Sequence, residues 1–319
     1  MAQIDRVLRS NLKLRHLQML VALDQFRHLG RAAEFLSITQ PAVSKTLAEI
    51  ESMFGLPLFE RSTRGTEPTA AGASVVRFAR SVLAGFDRTR DEIAAEASGA
   101  IGRTSVGAMV AATPVLLAPA VERLKARSSR TTVLIDEGDL TRLLPKLRLG
   151  ELDLFVGRLE PGYASPDLET EALYDDPMAA VAHPSHPLAG KRKVQWADIA
   201  AQPCVMPPPW ASLRVKLEQQ FFAHDLLPPA DVVESASFLS QITFLQRRGA
   251  VAFMARSVAA HFAQQGMVAV LKLPVAVALP PVGLITLRGQ RMTPVTALLV
   301  EHLREVAVQV GPLPARRRG

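Results

Sequence analysis

The sequence predicts an all-α N-terminal domain, then one long helix, then an α/β part with two lobes. Two observations support this prediction. Apolar residues recur at helical spacing from Leu14 to Ala97, whereas short apolar strands alternate with helical patterns from Arg103 onward. Alternation of strands and helices produces parallel sheet, and a chain of 319 residues is long enough for two or three domains.

The composition favours a polyanionic partner, and the sequence contains no candidate membrane-spanning segment. The net charge is +7 and the isoelectric point is near 10.0. No window is long and apolar enough for a membrane span, and the polar N-terminus with mixed charges does not resemble a signal peptide. The single cysteine, Cys204, excludes a disulfide framework and a cysteine-based zinc site. We therefore expect a cytoplasmic protein.

The segment from Leu14 to Thr69 contains three short helical patterns and then a basic turn. The second pattern, Arg31–Leu36, has the small residues Ala32 and Ala33 on its inner side, which lets two helices approach closely. Consecutive short helices with such a close contact are typical of a helix-turn-helix.

Residues 1–13, which precede these patterns, are expected to form a flexible lead-in.

The third pattern, from about Gln40 to Met53, supplies a candidate DNA-reading face. Apolar residues at i, i+4 and i+7 predict a buried seam, which consists of Val43, Leu47 and Ile50. The opposite face is short, polar and singly basic at the helix N-terminus, the end that enters the major groove in a helix-turn-helix. The candidate DNA-binding residues here, including the N-cap, are Thr39, Gln40, Pro41, Ser44 and Lys45.

A candidate wing follows this helix. The stretch Phe59–Thr66 places Arg61 and Arg64 beside small hydroxyl residues, and Gly65 permits a tight bend. Such a turn fits a wing whose arginines contact phosphate or the minor groove. Arg61 and Arg64 therefore join the candidate DNA-binding residues. Because any three-helix bundle has similar seams, the prediction of DNA binding rests on the ordered succession of all these parts.

One long helical pattern runs from about Pro68 to Ala97, interrupted only by Gly72 and Gly85, which weaken it. Its apolar stripe has no predicted neighbour in so small a domain. We expect the stripe to pack against the same helix of a second chain, with an internal core helix as the alternative. The stripe consists of Val75, Phe78, Ala79, Val82, Phe86 and Ile93.

Beyond a hinge at 98–102, the pattern of elements predicts two lobes with two crossings between them. The first lobe is predicted to contain strands at 103–109, 131–136 and 152–156 and helices at 114–127 and 139–149. Strands at 168–173 and 178–182 lie on either side of the first crossing. The second lobe is predicted to contain strands at 204–206, 231–234, 250–254 and 267–273 and helices at 211–223, 238–247 and 257–264. The chain returns through 275–281 to a strand at 282–287 and a helix at 293–308. This arrangement is similar to periplasmic sugar- and amino-acid-binding proteins.

The sequence shows no catalytic constellation. It lacks a Gly-rich phosphate loop, an HExxH motif and a GxSxG motif. His183 and His186 stand in the sequence HPSHP, where the prolines break any helix that would align them, so a surface loop is favoured over a metal site. Cys204 is expected to be an inert core thiol. We therefore expect a protein that is not an enzyme and has no metal and no cofactor.

A ligand site is predicted from the strand ends. In open parallel sheets, ligands bind beyond the carboxyl ends of strands and near helix N-termini. The alternative for each residue at such a position is a helix cap or a solvated side chain. The candidate effector-binding residues are Ala112, Thr113, Arg158, Trp210, Ser212 and Ser237. Trp210 beside Ser212 suits a sugar ring, whereas Arg158 suits a carboxylate.

Five stretches of the N-terminal part resemble the LysR-type transcriptional regulators. They are RAAEFL at 31–36, TQPAVS at 39–44, LAEIE at 47–51, GLPLFER at 55–61 and TAAG at 69–72. The resemblance covers roughly residues 14–75 strongly, and the length and layout of the remainder agree with it. It implies a winged helix-turn-helix DNA-binding domain at 14–69 and a linker and dimerisation helix at 70–97. It also implies a two-lobed, periplasmic-binding-protein-like effector domain, with lobe 1 at 101–175 and 278–311 and lobe 2 at 176–277.

The resemblance also implies partners. These are double-stranded operator DNA, a small-molecule effector, and further copies of the chain in a homodimer or, as is common in the family, a homotetramer; RNA polymerase is a further candidate. The chain looks most like a branch with regulators of galactose-binding-protein expression and of protocatechuate catabolism. A monosaccharide is therefore our first choice of effector and a small carboxylate the second. The alternative is a small-molecule-binding protein or enzyme on a periplasmic-binding-like scaffold, with a protein-interacting N-terminal module.

Overall fold

The computed structural model describes residues 2–62, 65–98, 102–209, 211–275, 277 and 279–311. It divides into two compact units, which we describe separately. The N-terminal unit is Met1–Gly102 with Pro145–Leu152, and the C-terminal unit is Arg103–Leu144 with Asp153–Gly319. None of the helices in the described ranges has the length and apolar content that a membrane span requires.

Five α-helices and a two-stranded ribbon are described in the N-terminal unit. The helices are α1 (Ala2–Arg6), α2 (Leu14–Phe26), α3 (Leu29–Phe35), α4 (Gln40–Phe54) and α5 (Ala70–Ser98), and the strands are β1 (Phe59–Ser62) and β2 (Gly65–Pro68). The prediction of a flexible lead-in is wrong, because α1 continues into a π-helical turn at Val7–Asn11. Val7 is buried in the core of the unit, and this contact holds the segment in place.

The helix-turn-helix packs as its pattern predicts. Val43, Leu47 and Ile50 of α4 are buried, and they pack with Ala32 and Ala33 of α3 in one core. Small side chains at the crossing let the two helices approach closely. The polar N-terminal face of α4 is therefore left on the outside of the unit.

The ribbon is held to the helices by hydrogen bonds. β1 and β2 pair antiparallel, with Arg61 opposite Thr66. The Glu51 carboxylate of α4 accepts hydrogen bonds from the Leu58 and Phe59 amides at 2.8 and 3.0 Å, which fixes the entry into β1. The Thr66 amide donates to the Arg27 carbonyl at 2.9 Å, so β2 is tied to the end of α2.

Helix α5 is continuous across Gly72 and Gly85. Its first turns pack on the core of the unit through Val75 and Val76, and Ala79 is also buried, so the expectation that it lacks a neighbour is wrong for this part. The remainder of the stripe is exposed on the single chain. Phe78, Val82, Phe86 and Ile93 are 37, 36, 49 and 63% exposed.

The C-terminal unit contains two five-stranded sheets. The strands are β3 (Arg103–Ala108), β4 (Thr132–Glu137), β5 (Leu154–Arg158), β6 (Leu168–Tyr174), β7 (Met178–Ala182), β8 (Cys204–Met206), β9 (Val232–Glu234), β10 (Val251–Ala255), β11 (Ala269–Val270) and β12 (Val282–Leu287). The helices are α6 (Ala118–Arg127), α7 (Leu140–Arg148), α8 (Trp196–Ala200), α9 (Ser212–Phe222), α10 (Phe238–Arg248), α11 (Arg256–Gln264) and α12 (Pro294–Val310).

The sheet of lobe 1 has the strand order β4-β3-β5-β12-β6. β3, β4 and β5 are parallel, as the strand-helix alternation predicts. β12 is antiparallel to both β5 and β6, so the sheet is mixed. The return of the chain to this sheet at β12, predicted from the sequence, is confirmed.

The sheet of lobe 2 has the strand order β11-β7-β10-β8-β9, with β8 parallel to both β9 and β10. The predicted strand at 267–273 is reduced to the two residues of β11. Helix α8 was not predicted. Its Trp196 is buried, stacking on Phe253 with ring centroids 5.8 Å apart and meeting Phe221 edge-on at 4.9 Å.

Candidate functional site

The N-terminal end of α4 presents a polar surface. Gln40, Pro41 and Lys45 are exposed, and Ser44 is half-buried. Thr39 is the N-cap, as predicted, because its hydroxyl accepts a hydrogen bond from the Ala42 amide at 3.4 Å. These side chains lie outside the buried seam of the helix, where a base edge or a phosphate can reach them.

The wing is described only in part. The backbone of Arg61 lies in β1, but its side chain and all of Arg64 lie outside the described residues. Gly65 has a φ of +131°, and a Cβ there would be 2.6 Å from the Arg27 carbonyl oxygen. The tight bend predicted at this glycine is therefore confirmed, and no other residue fits without moving the end of α2.

At the strand ends of lobe 1, Thr113 faces a carboxylate. Its hydroxyl donates to Glu137 at the end of β4 at 2.7 Å. Arg142 donates to the Glu137 carbonyl at 2.5 Å and to Asp136 at 2.6 Å. Ala112 is 2% exposed and packs in the lobe core, so its side chain is not available to an effector. The reason is that helical structure begins at Val110, before the predicted start at Pro114, and this turns Ala112 inward.

Arg158 is buried and hydrogen-bonded to the protein. Only 8% of it is exposed, and its guanidinium donates to the Asp176 carbonyl at 2.8 Å and to the Pro280 carbonyl at 2.9 Å. Burial lowers the pKa of Arg158, and the nearby Asp176 carboxylate opposes that shift. Because these bonds hold the two segments that connect the lobes, the geometry argues against Arg158 as the ligand of an effector carboxylate.

Asp176 extends this buried network into lobe 2. Its carboxylate accepts from the amide and the hydroxyl of Ser257, in the first turn of α11, at 3.0 and 2.6 Å. The Tyr174 hydroxyl is also buried, close to Ser257. Burial raises the pKa of Tyr174 well above its ordinary value, so this hydroxyl stays protonated.

Two of the lobe 2 candidates, Ser212 and Ser237, lie at helix N-termini. The Ser237 hydroxyl accepts from the Ser240 amide at 3.3 Å and caps α10. Helix α9 begins at Ser212, whose side chain lies outside the described residues, as does Trp210. Among the described residues, no hydrogen bond or ion pair joins Ser237 to Thr113, so the gathering of the candidates around one effector stays a prediction.

The remaining reactive side chains have structural roles. His183 and His186 bond locally, to Ser185 at 2.7 Å and to the Leu188 amide at 3.1 Å. Within the described ranges, no group of three or more His, Cys, Asp or Glu side chains is placed to hold a metal. Burial raises the pKa of the Cys204 thiol to about 12, which makes it unreactive near neutral pH.

Comparison with known protein families agrees with both halves of the chain. Residues 14–73 match the model of the bacterial regulatory helix-turn-helix proteins of the lysR family, and residues 97–308 match the LysR substrate binding domain. The chain belongs to the LysR family of transcriptional regulators. It is therefore a transcriptional regulator with an effector-binding domain, and the alternative of an enzyme or a stand-alone binding protein is rejected.

LysR relatives match the chain over most of its length. GbpR of Azospirillum brasilense is 30% identical over 300 residues, which are 93% of this chain and 87% of the relative. PcaQ of Agrobacterium fabrum is 28% identical over 93% of this chain and 95% of its own length. The solved structure of full-length CbnR in complex with its target DNA has a TM-score of 0.69 at 22% identity, and covers 92% of this chain and 100% of CbnR. At that identity the structural likeness concerns the LysR fold.

Proposed function

We propose that this LysR regulator reads operator DNA with the N-terminal face of α4. Gln40, Ser44 and Lys45 would contact base edges in the major groove, with Thr39 and Pro41 at the margin of the contact. Arg61 and Arg64 would hold the wing on the sugar-phosphate backbone. The observation that supports this most is the exposure of Gln40 and Lys45 in the first two turns of α4, outside a seam that is completely buried.

We propose that two copies pair through α5 in a homodimer, with a homotetramer as the larger assembly. The exposed stripe on α5 supports pairing, because four large apolar side chains on one helix are seldom left in water. Pairing would present two α4 helices to two half-sites. Sedimentation equilibrium tests the pairing, and a monomer at all concentrations would contradict it.

The protein would work in the cytoplasm, where operator DNA and RNA polymerase are found.

We propose an uncharged monosaccharide as the effector, bound between lobe 1 (residues 101–175 with 278–311) and lobe 2 (176–277). Thr113 already donates to the Glu137 carboxylate, and the Arg158 guanidinium is used by backbone carbonyls. The lobe 1 strand ends therefore present negative charge and hydroxyl groups, which suit a polyol better than a carboxylate. Trp210, Ser212 and Ser237 would supply the lobe 2 side of the site.

The effector can act only by binding one lobe arrangement more tightly than another. We expect that a panel of monosaccharides and small carboxylates, added singly to the protein–operator complex, contains an active monosaccharide. The readout is a shift in operator affinity or footprint at fixed salt. A panel in which only carboxylates act would contradict the monosaccharide proposal without affecting the proposed DNA-reading face.

The double variant Ser44→Ala with Lys45→Ala is expected to lose most of its preference for the operator. The probe is a duplex enriched by the wild-type protein from a random-sequence pool, compared with an unselected duplex. Each good base contact contributes about 1–3 kcal/mol of discrimination, so loss of two should lower the preference by roughly tenfold or more.

The matched control is Lys216→Ala, which removes a lysine from the C-terminal unit. This control is expected to keep the wild-type preference. Thermal unfolding checks that the double variant still folds. Should the double variant discriminate between the two duplexes as well as the wild type does, α4 would not be the reader. Failure of the wild type to enrich any sequence would end the proposal altogether.

A further inference from the structure

His28 caps α3 with one nitrogen of its ring. Its Nδ1 accepts hydrogen bonds from the Gly30 and Arg31 amides at 3.0 and 3.3 Å. An acceptor nitrogen carries no proton, so this bonding assigns the proton of the neutral imidazole to Nε2. These two amides of α3 are therefore used by the cap and are not available to an anion.

The side chains of His28 and Gln40 flank the same glycine. A Cβ built on Gly30 would lie 3.1 Å from His28 Cε1 and 3.6 Å from Gln40 Oε1. The imidazole therefore lies beside the carboxamide that begins the proposed reading face of α4. His28 itself is exposed. The surface that would meet DNA thus continues from the first turn of α4 onto the first turn of α3.

Arg31 adds a positive charge to this surface. It is exposed, and its amide donates to His28 Nδ1 at 3.3 Å, so its side chain starts next to the imidazole. Among the described residues, no carboxylate forms an ion pair with Arg31. By contrast, the nearby Arg27 is paired with Asp24 and Glu67. The Arg31 guanidinium thus keeps its charge and its donors for a partner outside the chain.

We propose that His28 and Arg31 together bind one backbone phosphate beside the groove that α4 enters. The Nε2–H of His28 donates one hydrogen bond, and the guanidinium supplies the charge and a bidentate contact. In a helix-turn-helix the helix before the reader crosses the backbone, which brings this turn to a phosphate. The inference rests on the proposed function of α4. It adds two residues that the sequence patterns did not identify as DNA contacts.

The test uses two variants of the full chain. His28→Asn keeps a good N-cap acceptor but removes the Nε2 donor. Arg31→Gln keeps most of the side-chain length but removes the charge. The control is Arg192→Gln, at an exposed arginine in the C-terminal unit. Affinities are measured for the enriched duplex and for an unselected duplex across a salt series, and thermal unfolding confirms that each variant folds.

A phosphate contact carries no sequence information, so both duplexes should be affected equally. His28→Asn is expected to weaken binding to each duplex by about fivefold, the size of one hydrogen bond. Arg31→Gln is expected to weaken binding to each and to reduce the salt slope by about 1. Arg192→Gln should leave affinities and slopes at their wild-type values.

The outcomes separate this inference from the proposed function. Wild-type binding by His28→Asn and Arg31→Gln, together with lost discrimination in the Ser44→Ala/Lys45→Ala variant, would overturn the phosphate contact alone. A loss confined to the enriched duplex would also overturn it, since the side chains would then contact bases. Wild-type discrimination by the double variant would instead overturn the reading face. We expect that inorganic phosphate at millimolar concentration does not displace the duplex from the protein, because one isolated anion lacks the other contacts that the duplex makes.

Discussion

Replacing Arg158 with methionine is expected to lower the free energy of unfolding of the C-terminal unit by about 3 kcal/mol or more. The methionine keeps an apolar stem but leaves the buried Asp176 carbonyl and the half-buried Pro280 carbonyl without their donors. It also removes the positive charge beside the Asp176 carboxylate, which is 6% exposed. Urea unfolding measures the effect as a fall in the midpoint at an unchanged slope.

The matched control is Arg304→Met. Arg304 forms a bidentate ion pair with Glu171, with both contacts at 2.8 Å, but the side chains are 53 and 43% exposed. Exposed pairs contribute about 0–1 kcal/mol, so this variant should unfold nearly as the wild type does. Equal effects of the two changes would show that the buried network at Arg158 does not hold the lobe connections together.

Local signals explain what the sequence could predict. Helix α4 was predicted at its true start because Thr39 caps it, Pro41 stands in its first turn and three apolar residues form its seam. The strands β8 and β12 were predicted at the residues where they occur, since short apolar runs between turn residues identify them. Periodicity and capping act over a few residues, and a single sequence shows them directly.

Contacts between distant residues explain what the sequence could not predict. The position of Arg158 at a strand end predicts that it contacts an effector. The two carbonyls that accept its hydrogen bonds lie 18 and 122 residues further along the chain. No local pattern predicts such partners. In the same way, the helical start of residues 2–11 depends on burial of Val7 against the N-terminal core. His28 was missed because a histidine cap has no distinctive sequence pattern, and its position next to Gln40 appears only when α3 and α4 are packed.

Gly72→Ala is expected to destabilise the N-terminal unit by about 1–3 kcal/mol or more, the usual cost of overpacking. A Cβ on Gly72 would lie 1.8 Å from the Leu58 carbonyl oxygen and 2.8 Å from its carbon. Both are backbone atoms, so no rotamer change can relieve the clash. The same carbonyl accepts the Thr69 amide at 2.9 Å, and Thr69 caps α5 through the Gly72 amide at 3.0 Å. The added methyl group must therefore move the start of α5 away from the strand that begins the wing.

Gly85→Ala makes the same chemical change in the same helix with the opposite expected sign. Among the described residues, no heavy atom lies within 4 Å of a Cβ at Gly85. Alanine there should stabilise the helix by up to about 1 kcal/mol, because it restricts the unfolded chain. Thermal unfolding of both variants measures the difference. If Gly72→Ala stabilised the protein as well, helix propensity alone would decide both positions, and the close approach of α5 to Leu58 would have no energetic consequence. Since that approach also sets where the wing begins, Gly72→Ala should weaken operator binding along with stability.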